Sequence, residues 1–436
     1  TTGGGNTSLG YQALYLNNES TAAHNTAVGS FALVNNSYGG CNVAVGTCSL
    51  CSNTCGDNNV AMGFRALCAN TVGGGNIAIG REAGRLTTCS GSVFIGHTAG
   101  YSNTTGVNIG IGNQALYNNT DGTQNIALGV QALLSNDGGY QNVAIGDSAL
   151  TCNTEGLRNT AVGYGALILN TTGDCNVGLG CQAGFSNQTG NSQVAIGSKA
   201  LYSSTVGENV AVGSCAATAN TTGTCNTAIG HIALCTNTTG CRNVAMGYHS
   251  LSRSLSASRN VGIGYGALCC SCAGCNTAIG DNAMIYASLA CHSVAVGRQA
   301  LMGLSSSTPA EGYNNTGVGS FAGQCISTGN NNAFFGMYAG HENSSGGDNT
   351  AVGYAALICN QCSSGNTAIG NLAGYKTTGA HNTIIGKNAM CNNTSGSCNV
   401  AMGYCALAAN TTGYCKVAIG SFALCKDTTS TGFNTA

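Results

Sequence analysis

Apolar and polar positions recur along this chain with one period from end to end. A copy reads as an Asn, a short alternation of aliphatic and small residues, a Gly, two variable positions, an Ala-Leu or Ala-Gly pair and a polar turn. Asn25-Thr26-Ala27-Val28-Gly29 followed by Ala32-Leu33 is one such copy. Anchored on its glycine, the pattern returns 25 times from Gly10 to Gly420. The spacings are 16 or 17 residues, except 19 between Gly10 and Gly29 and 22 between Gly297 and Gly319. A fixed period over a whole chain predicts a solenoid, here one continuous array over residues 1–436.

The position before the glycine is large and apolar in all 25 copies, for example Val45, Ile79, Ile145, Met246 and Phe335. It is expected to face a core. Two residues earlier stands Val, Ile or Thr in nearly every copy, and the residue between is usually Ala, as at Ala44, Ala61 and Ala78. Alternation with period two predicts a strand, and the small residue would let a second surface approach closely. Ala13-Leu14, Ala132-Leu133 and Ala406-Leu407 read as a second short strand, and Asn220-Thr221-Thr222-Gly223 as a wide turn with capping side chains. The expected fold is therefore all-β, a parallel β-solenoid of about 25 coils of 16–17 residues, stacked about 4.8 Å apart.

The residue four before the glycine is Asn in 21 of 25 copies, the exceptions being Ser92, Gln193, Ser293 and Lys416. Stacked in register, Asn25, Asn42, Asn59, Asn76 and their equivalents are expected to form an amide ladder. Pro309 lies in the longest spacing, which reads as a bulging loop. Thr1-Thr2-Gly3 matches the tail of a copy and Asn434-Thr435-Ala436 the start of one. The segment is therefore expected to be an excerpt of a longer array.

Asn25-Thr26-Ala27-Val28-Gly29 with Ala32-Leu33, and loops such as Asn170-Thr171-Thr172-Gly173, resemble the head repeats of trimeric autotransporter adhesins and the related repeats of phage and virus tail fibres. The resemblance covers the whole chain. It implies a left-handed β-roll, often trimeric, that serves as a rod or an adhesive head.

Composition narrows the function further. Thirteen basic and 14 acidic residues, net −1, are scattered without runs. This leaves no electrostatic footprint for nucleic acid or an anionic membrane, and no apolar stretch is long enough to insert in a bilayer. Acids such as Asp57, Asp147 and Glu208 and histidines such as His97, His231 and His341 fall at varied phases, so no catalytic set stacks up. Gly73-Gly74-Gly75 lacks the Lys-Ser/Thr of a phosphate loop, and no copy carries the Asp of calcium-binding rolls. No enzyme activity, cofactor or metal is expected.

The 26 cysteines change the picture most. Many stand five residues before the glycine (Cys41, Cys225, Cys398, Cys415) or five after it (Cys51, Cys68, Cys235, Cys425). Bridges between coils at equal phase would join Cys51 to Cys68 and Cys398 to Cys415. Bridges within a coil would join Cys41 to Cys51, Cys225 to Cys235, and Cys415 to Cys425. Disulfides at this density point to an oxidising location, extracellular or on a cell or virion surface. Fourteen Asn-x-Ser/Thr sequons, Asn18 and Asn35 among them, add possible surface glycans. The wide-turn acceptors Asn103, Asn170, Asn187, Asn220, Asn237 and Asn410 are the ones expected to be exposed.

The leading expectation is a structural fibre protein that self-associates, as a homotrimer or fibre, through the strand face bearing Ala44, Ala61 and Ala78. One alternative is an adhesin or carbohydrate-binding head, although Tyr11, Tyr164, Tyr248, Tyr265, Tyr354 and Tyr404 share a phase yet are widely spread. Another is an ice-binding solenoid, whose threonine rows here lie mostly in turns and at half-buried strand positions.

Overall fold

A computed structural model describes residues 4–17, 22–304, 310–428 and 433–436. Thr1 to Gly3, Asn18 and Pro309 lie outside the described residues. The chain divides into two compact units, Thr1–Cys215 and Ala216–Ala436, and both are parallel β-solenoids built from the same coil. The first holds the three-residue strands β1 (Thr7–Leu9) to β13 (Val210–Val212), and the second β14 (Thr227–Ile229) to β25 (Val417–Ile419).

Within each unit successive strands pair in parallel and in strict register, Val43-Ala44-Val45 lying beside Val60-Ala61-Met62 and Val400-Ala401-Met402 beside Val417-Ala418-Ile419. Thr435 makes a further parallel bridge to Val417, so the last described residues start another rung.

The strand faces are the reverse of the expectation. The middle alanine, Ala27, Ala44, Ala61 or Ala78, is fully buried, whereas its large neighbours point outward: Ile77 and Ile79 are each 37% exposed and Phe335 41%. The reason is the thinness of the coil. The space inside is filled by Leu33, Leu50 and Leu67 and by Ala32 and Ala66 from the opposite segment, and only a methyl group fits against them at close-packed density.

The Ala-Leu segment is a turn and not a second strand. Its backbone alternates into the left-handed region, as at Cys48 (φ 58°) and Leu50 (φ 48°), which no strand can do. Ser49 N–H donates to the Gly46 carbonyl at 3.3 Å, and Asn53 N–H to that of Leu50 at 3.2 Å, closing two tight turns in a row. Coil-to-coil bonding persists there nonetheless. Leu50 N–H donates to Ala66 of the next coil at 3.0 Å, and Cys48 N–H to Ser30 of the previous one at 3.0 Å.

Large and small core residues exchange between coils. Where Phe94 or Phe334 takes the middle strand position, the facing leucines are absent: Gly84 and Gly100 flank Phe94, and Gly323 and Gly340 flank Phe334. A Cβ on Gly100 would lie 2.2 Å from the Phe94 ring. At these Ala-Gly copies a neighbouring aromatic supplies the missing volume, whereas at Gly184 and Gly374 the aliphatic side chains of Leu167 and Ile384 do so.

Candidate functional site

The predicted site residues fall on four lines that run along the stack. Asn25, Asn42, Asn59 and Asn76 are fully buried. The Oδ1 of Asn25 accepts the Asn42 N–H at 2.9 Å, and its Nδ2 donates to the Gly39 carbonyl at 2.9 Å. Asn42 and Asn59 repeat the arrangement one coil further on. Each of these amides therefore binds the backbone of the next coil, where amide-to-amide contact was expected.

Amide-to-amide bonds do occur further along this row, as from Asn243 Nδ2 to Asn226 Oδ1 and from Asn399 Nδ2 to Asn382 Oδ1, each at 3.1 Å, and a second amide ladder lies at the asparagine that opens each wide turn. Asn153 Nδ2 donates to Asn136 Oδ1 at 2.8 Å, Asn170 Nδ2 to Asn153 Oδ1 at 2.8 Å, and Asn187 Nδ2 to Asn170 Oδ1 at 3.1 Å. Each also donates to the carbonyl of the glycine three residues on, as Asn170 does to Gly173 at 3.0 Å. A planar group with a donor and an acceptor at opposite ends is what such a column requires. Where Thr87 interrupts the row, Asn70 Oδ1 is left buried without a partner.

This corrects the glycan assignment. Asn103, Asn170, Asn187, Asn220, Asn237 and Asn410 are the row's own members and are fully buried. Glycosylation replaces an Nδ2 hydrogen by a bulky sugar, for which the column has no room. The sequon asparagines Asn35, Asn118, Asn314 and Asn392 are exposed instead.

No disulfide is formed among the described residues. The structure brings Cys51 and Cys68 of adjoining coils together with their sulfurs 3.0 Å apart. Cys41 is exposed and does not meet Cys51, and the sulfurs of Cys398 and Cys415 are not in contact. Cys225 is exposed, Cys425 is half-buried, and the Cys235 thiol donates to the Ser252 carbonyl at 3.3 Å.

A hydrogen bond from the Cys51 thiol, helped by Arg85 and Arg65 and opposed by burial, lowers Cys68 to about 6. The same bond and burial push Cys51 up. Of the two thiols Cys68 is the one that gives up its proton more readily, and thiolates are the reactive form. Differential alkylation should label Cys68 well ahead of the exposed Cys55, with the rate falling as pH drops through about 6. Glutathione disulfide, taking up the two electrons and two protons, should link Cys51 to Cys68 first. Equal labelling of Cys68 and Cys55 would refute the assignment.

Two grooves lie on the turn side of the second unit, between the side chains two residues after the glycine and those five and six after it. The larger is a cavity of about 670 Å³ lined by Tyr338, His341, Glu342, Tyr354, Ala355, Ile358, Leu372, Tyr375, Lys376, Asn388, Cys391 and Asn392. It opens because Ala355 occupies the place held by Tyr338, Leu372 and Asn388 in adjoining coils. The smaller, about 260 Å³, opens in the same way at Gly266, between His249 and Asn282 and beside Tyr265.

Burial pushes the His341 imidazole below its ordinary value against the opposing pull of Glu342, so the ring is neutral at neutral pH. Burial likewise raises the Cys391 thiol, and burial together with Glu342 raises that of Cys359. Sequence reasoning missed these grooves, although a signal was present. Gly264-Tyr265-Gly266 and Gly353-Tyr354-Ala355 each place a Tyr after the glycine and the smallest residues after that.

Among the described residues, no cluster of three or more His, Cys, Asp or Glu side chains is placed to hold a metal ion, and no helix is long and apolar enough to cross a membrane. No family model, curated protein or solved structure matches this chain.

The row of Ala44, Ala61 and Ala78 is covered by the chain's own leucines and offers nothing to a partner. On the opposite face Ile77, Ile79, Ile109, Ile111 and Ile145 stand at 36% to 37% exposure, and no described strand carries a charge.

Proposed function

We propose that this protein is a structural β-solenoid, a stiff spacer or fibre segment without catalytic activity. It works outside the cell or on a virion surface and associates laterally through the aliphatic rows of its outer sheet face. The observation that carries this reading is the continuity of bonding around each coil. Strand, turn and both asparagine rows are each bonded to the next coil, as at Val43 to Asn59, Leu50 to Ala66, Asn42 to Gly56 and Asn53 to Asn36. Load along the stack is shared by several parallel bonds per coil and by no single element.

Rows of partly exposed isoleucines on a sheet face without charge support self-association. The cysteine rows, with Cys51 and Cys68 in contact, support an oxidising location. Any glycans fall at Asn35, Asn118, Asn314 or Asn392. The resemblance to adhesin heads and tail-fibre repeats fits the same reading. Negative-stain imaging of the native material should show uniform rods or filaments. Compact, isolated particles at all concentrations would overturn the proposal.

A further inference from the structure

We propose that the larger groove of the second unit, around Ala355, binds a neutral oligosaccharide. The site does not rest on the fibre reading, since a groove can bind sugar on a rod or on a compact protein alike.

Its shape comes first. At about 670 Å³ it lies within the usual range for small-molecule sites, and it spans four adjoining coils along one line, which suits an extended ligand better than a compact one. Its chemistry comes second. Tyr338 and Tyr354 meet at 86° with centroids 6.2 Å apart, and Tyr354 is 47% exposed. Tyr338 is stacked on Phe321 at 5.0 Å and meets Tyr354 edge-to-face, so the ring surface open to a ligand is that of Tyr354, with Tyr375 on the next coil. Apolar ring faces combined with hydroxyl edges suit a ligand that is itself apolar on its C–H faces and hydroxylated at its rim.

Charge decides the class. Glu342 and Lys376 occupy the same phase two coils apart, about 10 Å along the stack, and neither forms an ion pair among the described residues. One carboxylate and one ammonium leave the groove with no net charge, and the His341 imidazole, held neutral by burial, adds none. A polyanion or polycation would meet one repulsive end. Hydroxyl groups, which both donate and accept, are bound by a carboxylate and an ammonium equally well.

The test uses the full chain and a panel of maltotriose, cellotriose, chitotriose and a sulfated heparin trisaccharide, read by saturation-transfer NMR and isothermal titration. Ala355→Leu fills the notch without new backbone strain, because Leu372 holds the same place one coil on with φ 57° against 53° for Ala355. Tyr354→Ala removes an exposed ring. At least one neutral trisaccharide should bind in the millimolar range, and each variant should weaken it about tenfold or more with unchanged circular dichroism. Should Ala355→Leu misfold, Tyr354→Ala alone carries the comparison. Absence of binding by all three neutral sugars, binding that both variants leave intact, or binding of the sulfated sugar in their place would each overturn the proposal.

Discussion

Replacing Gly146 with alanine should open the coils on either side of it. Within each unit the anchor glycines form a column in which each sits face to face with the next, Gly146 at φ 131° with an ideal Cβ 2.6 Å from the Gly163 carbonyl oxygen. That conformation is essentially closed to side chains and costs about 1–3 kcal/mol when forced. The contact adds overpacking of similar size, about 1–3 kcal/mol. The obstacle is backbone, bonded above and below, so it cannot swing aside as a side chain would. Neighbour-coupled repeats open locally, so the readout is amide hydrogen exchange rather than one midpoint. Exchange at Ile145 and Val162 should accelerate by two orders of magnitude or more, while strands far along the stack keep their protection. Wild-type protection at both residues would show that the column does not set the coil spacing.

Phe94→Ala should cost about 3–5 kcal/mol, the upper range for a buried aromatic. In most other coils of the first unit the core is filled in small portions, typically a leucine and two alanines, so a single truncation leaves little space. At Phe94 the ring stands in for what Gly84, Gly100 and Gly110 lack, and its loss empties several portions at once. Gly100→Leu alone should also destabilise, since its Cβ would sit 2.2 Å from the Phe94 ring. The two changes together should recover part of the loss. The backbone already suits a leucine, with φ 59° at Gly100 against 53° at Leu116. Chemical denaturation of the four proteins gives the coupling energy. Strictly additive costs would mean that the ring and the glycines do not share one volume.

How much was legible beforehand can be told from particular residues. The period of the glycines fixes the coil, its length and the parallel register, because a stack of equal coils has no other way to place Gly46 over Gly63 and Val43 beside Val60. The need for a buried amide at Asn25, Asn42 and Asn59 was likewise visible in their recurrence. Alternation with period two shows that a strand has two unlike faces but carries no sign saying which is inside. Size suggested that Val45 and Ile79 point inward, and the cross-section of a 16–17-residue coil decided otherwise, since it holds one leucine layer and the methyl of Ala44 or Ala78.

The Ala-Leu turns were hidden because leucine seldom adopts a left-handed conformation, and only the bonds to both neighbouring coils hold Leu50 there. Asn170-Thr171-Thr172-Gly173 has the composition of an exposed turn, yet its asparagine was drawn inside by the amides of Asn153 and Asn187. The groove at Ala355 depends on Tyr338, Leu372 and Lys376, side chains 17 to 21 residues away in sequence and gathered around one cavity in space. By itself the sequence determined the repeat, the strand position and the glycine column, because these follow from chain geometry that is the same in every copy. Only the tertiary structure decided which face closes the core, which asparagines are buried and where a cavity opens, because those depend on the volume left between coils and on what the next coil supplies.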